Sequence, residues 1–111
     1  MNERDPLFLR DIVRAVSAIE RYTKDGREAF FADELIQDAV VRRLETMGEA
    51  ARNVSIGLRE TEKAVPWKLM IGTRDNLIHG YFKVDLDVVW AIVEQDLAPL
   101  KREIARILGQ A

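Results

Sequence analysis

The sequence predicts an all-α fold, an antiparallel helical bundle of four to five helices, and three observations carry that prediction. Apolar residues recur at helical spacing along four long stretches. No stretch alternates apolar and polar residues as a half-buried strand would. Glycines and prolines fall mostly between the four stretches, so the connections are short, and short connections make successive helices run antiparallel. The 111 residues suffice for one domain with one core, taken as residues 1–111.

The first helix is expected to start at Asp5-Pro6, with Asp5 as N-cap and Pro6 at the first helical position. Its stripe is Leu9, Ile12, Val13, Val16, Ile19 and Tyr22, and Lys24-Asp25-Gly26 ends it. Glu28 to Phe31 reads as a turn or brief helix. The second main helix starts near Asp33 and carries Ile36, Val40, Leu44, Met47, Ala51 and Val54 on one face. Gly48, Ala50 and Ala51 are small enough to let a neighbouring helix approach closely. Residues 53–60, with Gly57, read as the end of that helix. The third runs from near Pro66 to about His79, with Gly80 as the residue that enters the left-handed region beyond its C-terminus. The fourth starts at the N-cap Asp85 and continues almost to the end of the chain. Pro99 interrupts it, which predicts a kink or restart near Asp96, with Asp96 able to cap the second segment.

Composition narrows the function classes. Hydrophobic residues at 48% and charged residues at 32% are a globular balance rather than a disordered one. The absence of cysteine excludes disulfides and thiolate metal sites and fits a cytoplasmic setting. Charges at Glu3, Arg4, Asp5, Arg10 and Asp11 leave no apolar run for a signal peptide or membrane span, so no membrane partner is expected. A net charge of −2 excludes a broadly basic nucleic-acid binder. The charge is uneven, however: residues 1–41 carry −3, residues 42–83 carry +3 and residues 84–111 carry −2.

The positive third contains an anomaly. Trp67, Met70, Ile71 and Ile78 form a helical apolar stripe, and Arg74 occupies the remaining position on it. A guanidinium on an apolar stripe needs a partner, because burying an unpaired charge costs several kcal/mol. Three partners are open: an acidic residue such as Glu49, a second subunit, or a bound anion such as phosphate. His79, the only histidine, lies five residues on, about 140° around an ideal helix. It can be a C-terminal residue interacting with the helix dipole, or a proton-transfer group near neutral pH. Asp75, four residues before it, is placed to fix its tautomer or raise its pKa.

The segment Arg74-Asp75-Asn76-Leu77-Ile78-His79-Gly80-Tyr81 resembles the RX4HXY motif of HepT-type toxins in the HEPN superfamily. The likeness extends to Ile36–Val40, Arg43-Leu44, Gly48–Ala51, Val65–Trp67 and the run from Tyr81-Phe82 through Asp85 to Trp90, and so covers essentially the whole chain. Asp75 supplies the polar residue after the arginine, where many relatives carry Asn.

The resemblance implies a homodimer in which two motif helices face each other across an RNA-cleaving cleft. It implies an endoribonuclease that needs neither metal nor cofactor, with the RNA 2′-hydroxyl as nucleophile. Arg74 and His79 would be its catalytic residues and Asp75 a supporting residue; Glu49, read from the residues alone, is either an addition to the site behind Arg74 or only its neutralising partner. It also implies a partner, an MntA-like nucleotidyltransferase antitoxin that adenylylates the motif tyrosine, Tyr81. The alternative from another class is a non-catalytic HEPN helical module that dimerises and binds a nucleotidyltransferase or a nucleotide, with Arg74 on phosphate and no cleavage.

Overall fold

The computed structural model describes residues 1–79 and 84–109, without the side chains of Ile78 and His79. Among these residues there are seven helices and no strand: α1 (Asp5–Tyr22), α2 (Arg27–Ala32), α3 (Glu34–Asn53), α4 (Ile56–Thr61), α5 (Trp67–His79), α6 (Leu86–Gln95) and α7 (Leu97–Ile107). The expected third helix is α5, and Gly80 beyond it lies outside the described residues.

Two helix starts follow the expected capping chemistry. Asp33 accepts from the Leu35 amide at 2.9 Å, and Asp85 accepts from the Asp87 amide at 3.0 Å. Asp5 does not cap. The helix begins with Asp5 itself and Arg4 holds the cap position. The Asp5 carboxylate is buried and reaches across to Ser55, where Oδ1 accepts from the Ser55 amide at 2.8 Å and Oδ2 from its hydroxyl at 2.6 Å. That contact pins the start of α1 to the residue just past α3, so the two helices run antiparallel.

Ser55 has a second task that the sequence reading missed. Its Oγ accepts from the Leu58 amide at 3.3 Å and caps α4, in the segment read as the frayed end of α3. Near Pro99 the fourth pattern divides into α6 and α7, as expected. Asp96 stands at the junction, but its side chain makes no capping bond; the start of α7 is held by the Leu100 amide on the Asp96 carbonyl at 3.1 Å. Pro99 falls in the first turn of α7, where a missing N–H leaves no helical bond unmade.

The core lies around α3. α1 and α5 pack on it most extensively, α7 packs on α1, and α6 on α7. Leu9, Ile12, Val16 and Ile19 of α1 meet Val40, Leu44 and Met47 of α3 in one buried cluster, joined by Met70 of α5 and by Leu100 and Ile104 of α7. Each such side chain contributes about 1.5–3 kcal/mol by leaving water. Phe30 of α2 stacks against Trp90 of α6 with ring centroids 5.2 Å apart, closing the opposite edge. No described helix is long and apolar enough to cross a membrane.

Candidate functional site

The crossing of α3 and α5 is unusually close because of one residue. A Cβ built on Gly48 would collide with the Cβ of Arg74 and lie 2.6 Å from the Met70 carbonyl oxygen. Only glycine fits there, and the fit presses the stem of Arg74 against α3. The stripe that predicted α5 is also seen: Trp67 and Met70 are buried, and Ile71 packs on the core.

Arg74 therefore emerges beside the surface of α3 with its side chain 20% exposed. Two carboxylates meet it. Its Nη2 forms an ion pair with Glu49 Oε2 at 3.0 Å, and its Nη1 donates to Asp75 Oδ1 at 3.1 Å. Its Nε is buried and has no hydrogen-bond partner among the described residues. Of the three partners open to Arg74 in the sequence, the acidic residue is present. Glu49 is the residue expected, and it is half exposed.

Asp75 has a second arginine. Arg52, in the last turn of α3, donates through Nη2 to Asp75 Oδ1 at 3.0 Å and Oδ2 at 2.9 Å. Sequence reasoning did not single out Arg52. The pairing with Asp75 spans 23 positions and depends on where two helices cross. The patch thus holds two guanidiniums and two carboxylates and is formally neutral. A groove of about 340 Å³ adjoins it, whose charged lining is Asp11 of α1, Arg42, Glu45 and Glu49 of α3, and Arg74 of α5.

Asp75 was expected to act on His79, whose side chain lies outside the described residues; among the described residues the Asp75 carboxylate is engaged by Arg52 and Arg74. His79 is the last residue of α5, one and a half turns beyond Arg74. All of Tyr81 lies outside the described residues as well. Among the described residues no group of three or more His, Cys, Asp or Glu side chains could hold a metal ion.

Chemically, the patch presents a planar cation fixed at both terminal nitrogens. Glu49, half exposed against 20% for Arg74, is the side of the ion pair that solvent reaches. A guanidinium fork of this kind receives oxyanions, carboxylate or phosphate, through paired N–H donors.

Comparisons with known proteins agree on one family. The family described as ribonuclease HepT-like matches residues 12–107. A protein of Thermococcus cleftensis named probable ribonuclease HepT is 38% identical over 101 residues, covering 90% of this chain and 92% of its own. A protein of Methanocaldococcus jannaschii, whose name joins gamma-glutamylcyclotransferase to a candidate RNase, is 43% identical over 105 residues, or 94% of this chain. The chain spans about half of that relative, 47% of its length. Among solved structures, the HEPN toxin of Shewanella oneidensis, described as tri-AMPylated and in complex with MNT antitoxin, superposes with a TM-score of 0.71 over 98% of this chain and 99% of its own, at 22% identity. That likeness concerns the fold, which is all-α and HEPN-like. Together with the RX4HXY string that runs from Arg74 to Tyr81 in the sequence, these matches place the chain in the ribonuclease HepT-like family.

Proposed function

We propose that this chain is the toxin of a toxin–antitoxin pair and acts as an endoribonuclease in which Arg74 and His79 perform the chemistry. The observation that carries the reading is Arg74. It is held at the α3–α5 crossing by the fit at Gly48, with its terminal nitrogens on carboxylates of which one, the half-exposed Glu49, gives way to phosphate in this reading. Membership of the ribonuclease HepT-like family gives that geometry a task.

In the proposed reaction the RNA 2′-oxygen attacks the adjacent phosphorus. His79 accepts the 2′-hydroxyl proton as general base while water protonates the departing 5′-oxygen, or His79 protonates the 5′-oxygen as general acid while water takes the 2′-hydroxyl proton. The P–O5′ bond breaks as the P–O2′ bond forms, leaving a 2′,3′-cyclic phosphate and a 5′-hydroxyl. Arg74 binds the phosphate and stabilises the charge that builds on its oxygens. The proposed unit is a homodimer of one-domain chains (residues 1–111), with the two α5 helices facing each other, and the chemistry uses no metal or cofactor.

Regulation in this proposal is covalent. The partner is a nucleotidyltransferase antitoxin of MntA type that adenylylates Tyr81, two residues beyond His79. Phosphodiester-linked AMP adds negative charge and bulk beside the cleft, and both oppose an RNA backbone. The solved HEPN toxin of Shewanella oneidensis, AMPylated and in complex with its antitoxin, supports this reading.

The test is RNA cleavage by purified protein in EDTA, with wild type and His79→Ala side by side, after mass spectrometry has shown the wild type to be free of adenylyl groups. Cleavage by wild type alone, leaving cyclic phosphate ends, is the expected result. No cleavage of several RNAs, transfer RNA included, by the unmodified wild type would replace this reading with the non-catalytic partner module.

A further inference from the structure

Arg74 and Asp75 are neighbours in sequence, so on an α-helix their side chains leave the axis about 100° apart. Two such side chains do not meet without help, yet Arg74 Nη1 donates to Asp75 Oδ1 at 3.1 Å. The help is visible on the facing helix. Arg52, at the end of α3, grips both oxygens of Asp75 through one nitrogen, at 3.0 and 2.9 Å. Oδ1, the oxygen that faces Arg74, is shared by both arginines.

The consequence for Arg74 is orientational. A guanidinium plane is fixed when two of its nitrogens are held from different directions, and Glu49 and Asp75 hold Nη2 and Nη1 respectively. Nε makes no bond among the described residues that could take over if one anchor were lost. When phosphate displaces Glu49, Asp75 becomes the remaining anchor, and Arg52 is what keeps Asp75 in place.

We propose that Arg52 is a positioning residue for Arg74, acting through Asp75. Its effect on catalysis rests on the nuclease reading above, whereas its effect on the Arg74 side chain does not. Arg52 itself need not touch RNA: its charge is spent on Asp75, and its loss loosens the guanidinium that does.

The test combines a kinetic cycle with a spectroscopic readout. Arg52→Gln is expected to lower kcat about tenfold, the scale of a loosened rather than a deleted group, with KM nearly unchanged. In an Asp75→Asn background the same substitution should add almost nothing, because residues acting in series are non-additive. Arg52→Lys should recover part of the loss, since a single nitrogen makes both bonds to Asp75. A loss that persists at full size in the Asp75→Asn background overturns the proposal. So does a raised KM with a salt dependence shallower by about one phosphate contact, because Arg52 would then bind RNA directly. If wild type cleaves no RNA, the nuclease reading fails by itself and the positioning role is read by NMR. The Nε–H resonance of Arg74, assigned by its loss in Arg74→Lys, should shift or broaden in Arg52→Gln while the melting temperature holds. An unmoved resonance in that variant overturns the positioning role whether or not RNA is cleaved.

Discussion

Asp5 and Asp75 each tie another helix to the C-terminal end of α3, Asp5 through Ser55 and Asp75 through Arg52. Asp5 is fully buried, and its partners are two amides, of Asn2 and Ser55, and the Ser55 hydroxyl, which local chain geometry holds in place. Asp75 is partly exposed and its partners are two arginines, long side chains that carry charge. The first contact has nothing to exchange and nothing left over. The second belongs to a patch whose Arg74 Nε is buried without a hydrogen-bond partner among the described residues, and whose other carboxylate, Glu49, is half exposed. The contrast separates a structural use of charge from one kept available for a ligand, and substitutions on each side can break or sharpen it.

The largest effect should come from Arg74→Ala. Loss of a group that stabilises developing charge lowers kcat about 10²–10³-fold, close to 3–4 kcal/mol of barrier. Folding should be little affected, since the guanidinium is only partly buried and its carboxylate partners reach water once it is gone. Cleavage rates and thermal melts on the same preparation check both halves. A variant that loses its fold along with its activity would move Arg74 to the structural side of the comparison.

Gly48→Ala should come next, because it strikes the fit that presents Arg74. A methyl group there meets the Arg74 stem and the Met70 carbonyl, so α3 and α5 must separate. Overpacking of this kind costs about 1–3 kcal/mol. Alanine's better helix propensity returns about 1 kcal/mol of that. The melting temperature should fall modestly and kcat more steeply, since the displaced residue is the proposed phosphate ligand. Equal wild-type activity in Gly48→Ala would show that the close approach does not position Arg74.

How much of this was legible beforehand follows physical lines. The caps at Asp33 and Asp85 were readable because capping is local, between residues two or three apart. The restart near Asp96 was readable from Pro99. The six-residue α4 was not, because Ile56 is exposed and only Leu58 is buried, which leaves no stripe to detect. Asp5 looked like a cap, yet its real partner lies 50 positions away. In the site, Arg74 was legible as a charge on an apolar stripe, and Glu49 as a nearby acid. Gly48 was legible only as a small residue favouring close approach. Arg52 was not legible at all, because its partner is chosen by the angle and register of two helices. Local signals predict elements; contacts between elements, where the chemistry sits, emerge from packing.

The smallest effect on activity should come from the buried carboxylate. Asp5→Asn keeps an acceptor for the Ser55 amide but removes the charge, and a hydrogen bond to a charged group is worth about 1.5–3 kcal/mol against about 1 kcal/mol for a neutral one. A stability loss of about 1–2 kcal/mol is expected, with kcat unchanged. pH dependence gives a second check. Burial pushes the Asp5 carboxyl up, but hydrogen bonds from the Ser55 hydroxyl, the Ser55 amide and the Asn2 amide outweigh it and hold the group below its ordinary value of 3.8. A depressed folded-state pKa means that the unfolded chain binds the proton more readily. The stabilisation is therefore fully present above that ordinary value and drains away as pH falls through the lower, folded-state one. Wild type and Asp5→Asn should differ most in denaturant midpoint near neutral pH and converge as the solution becomes strongly acidic. A difference that stays constant across that range would mean the lost stability came from packing rather than from the charge.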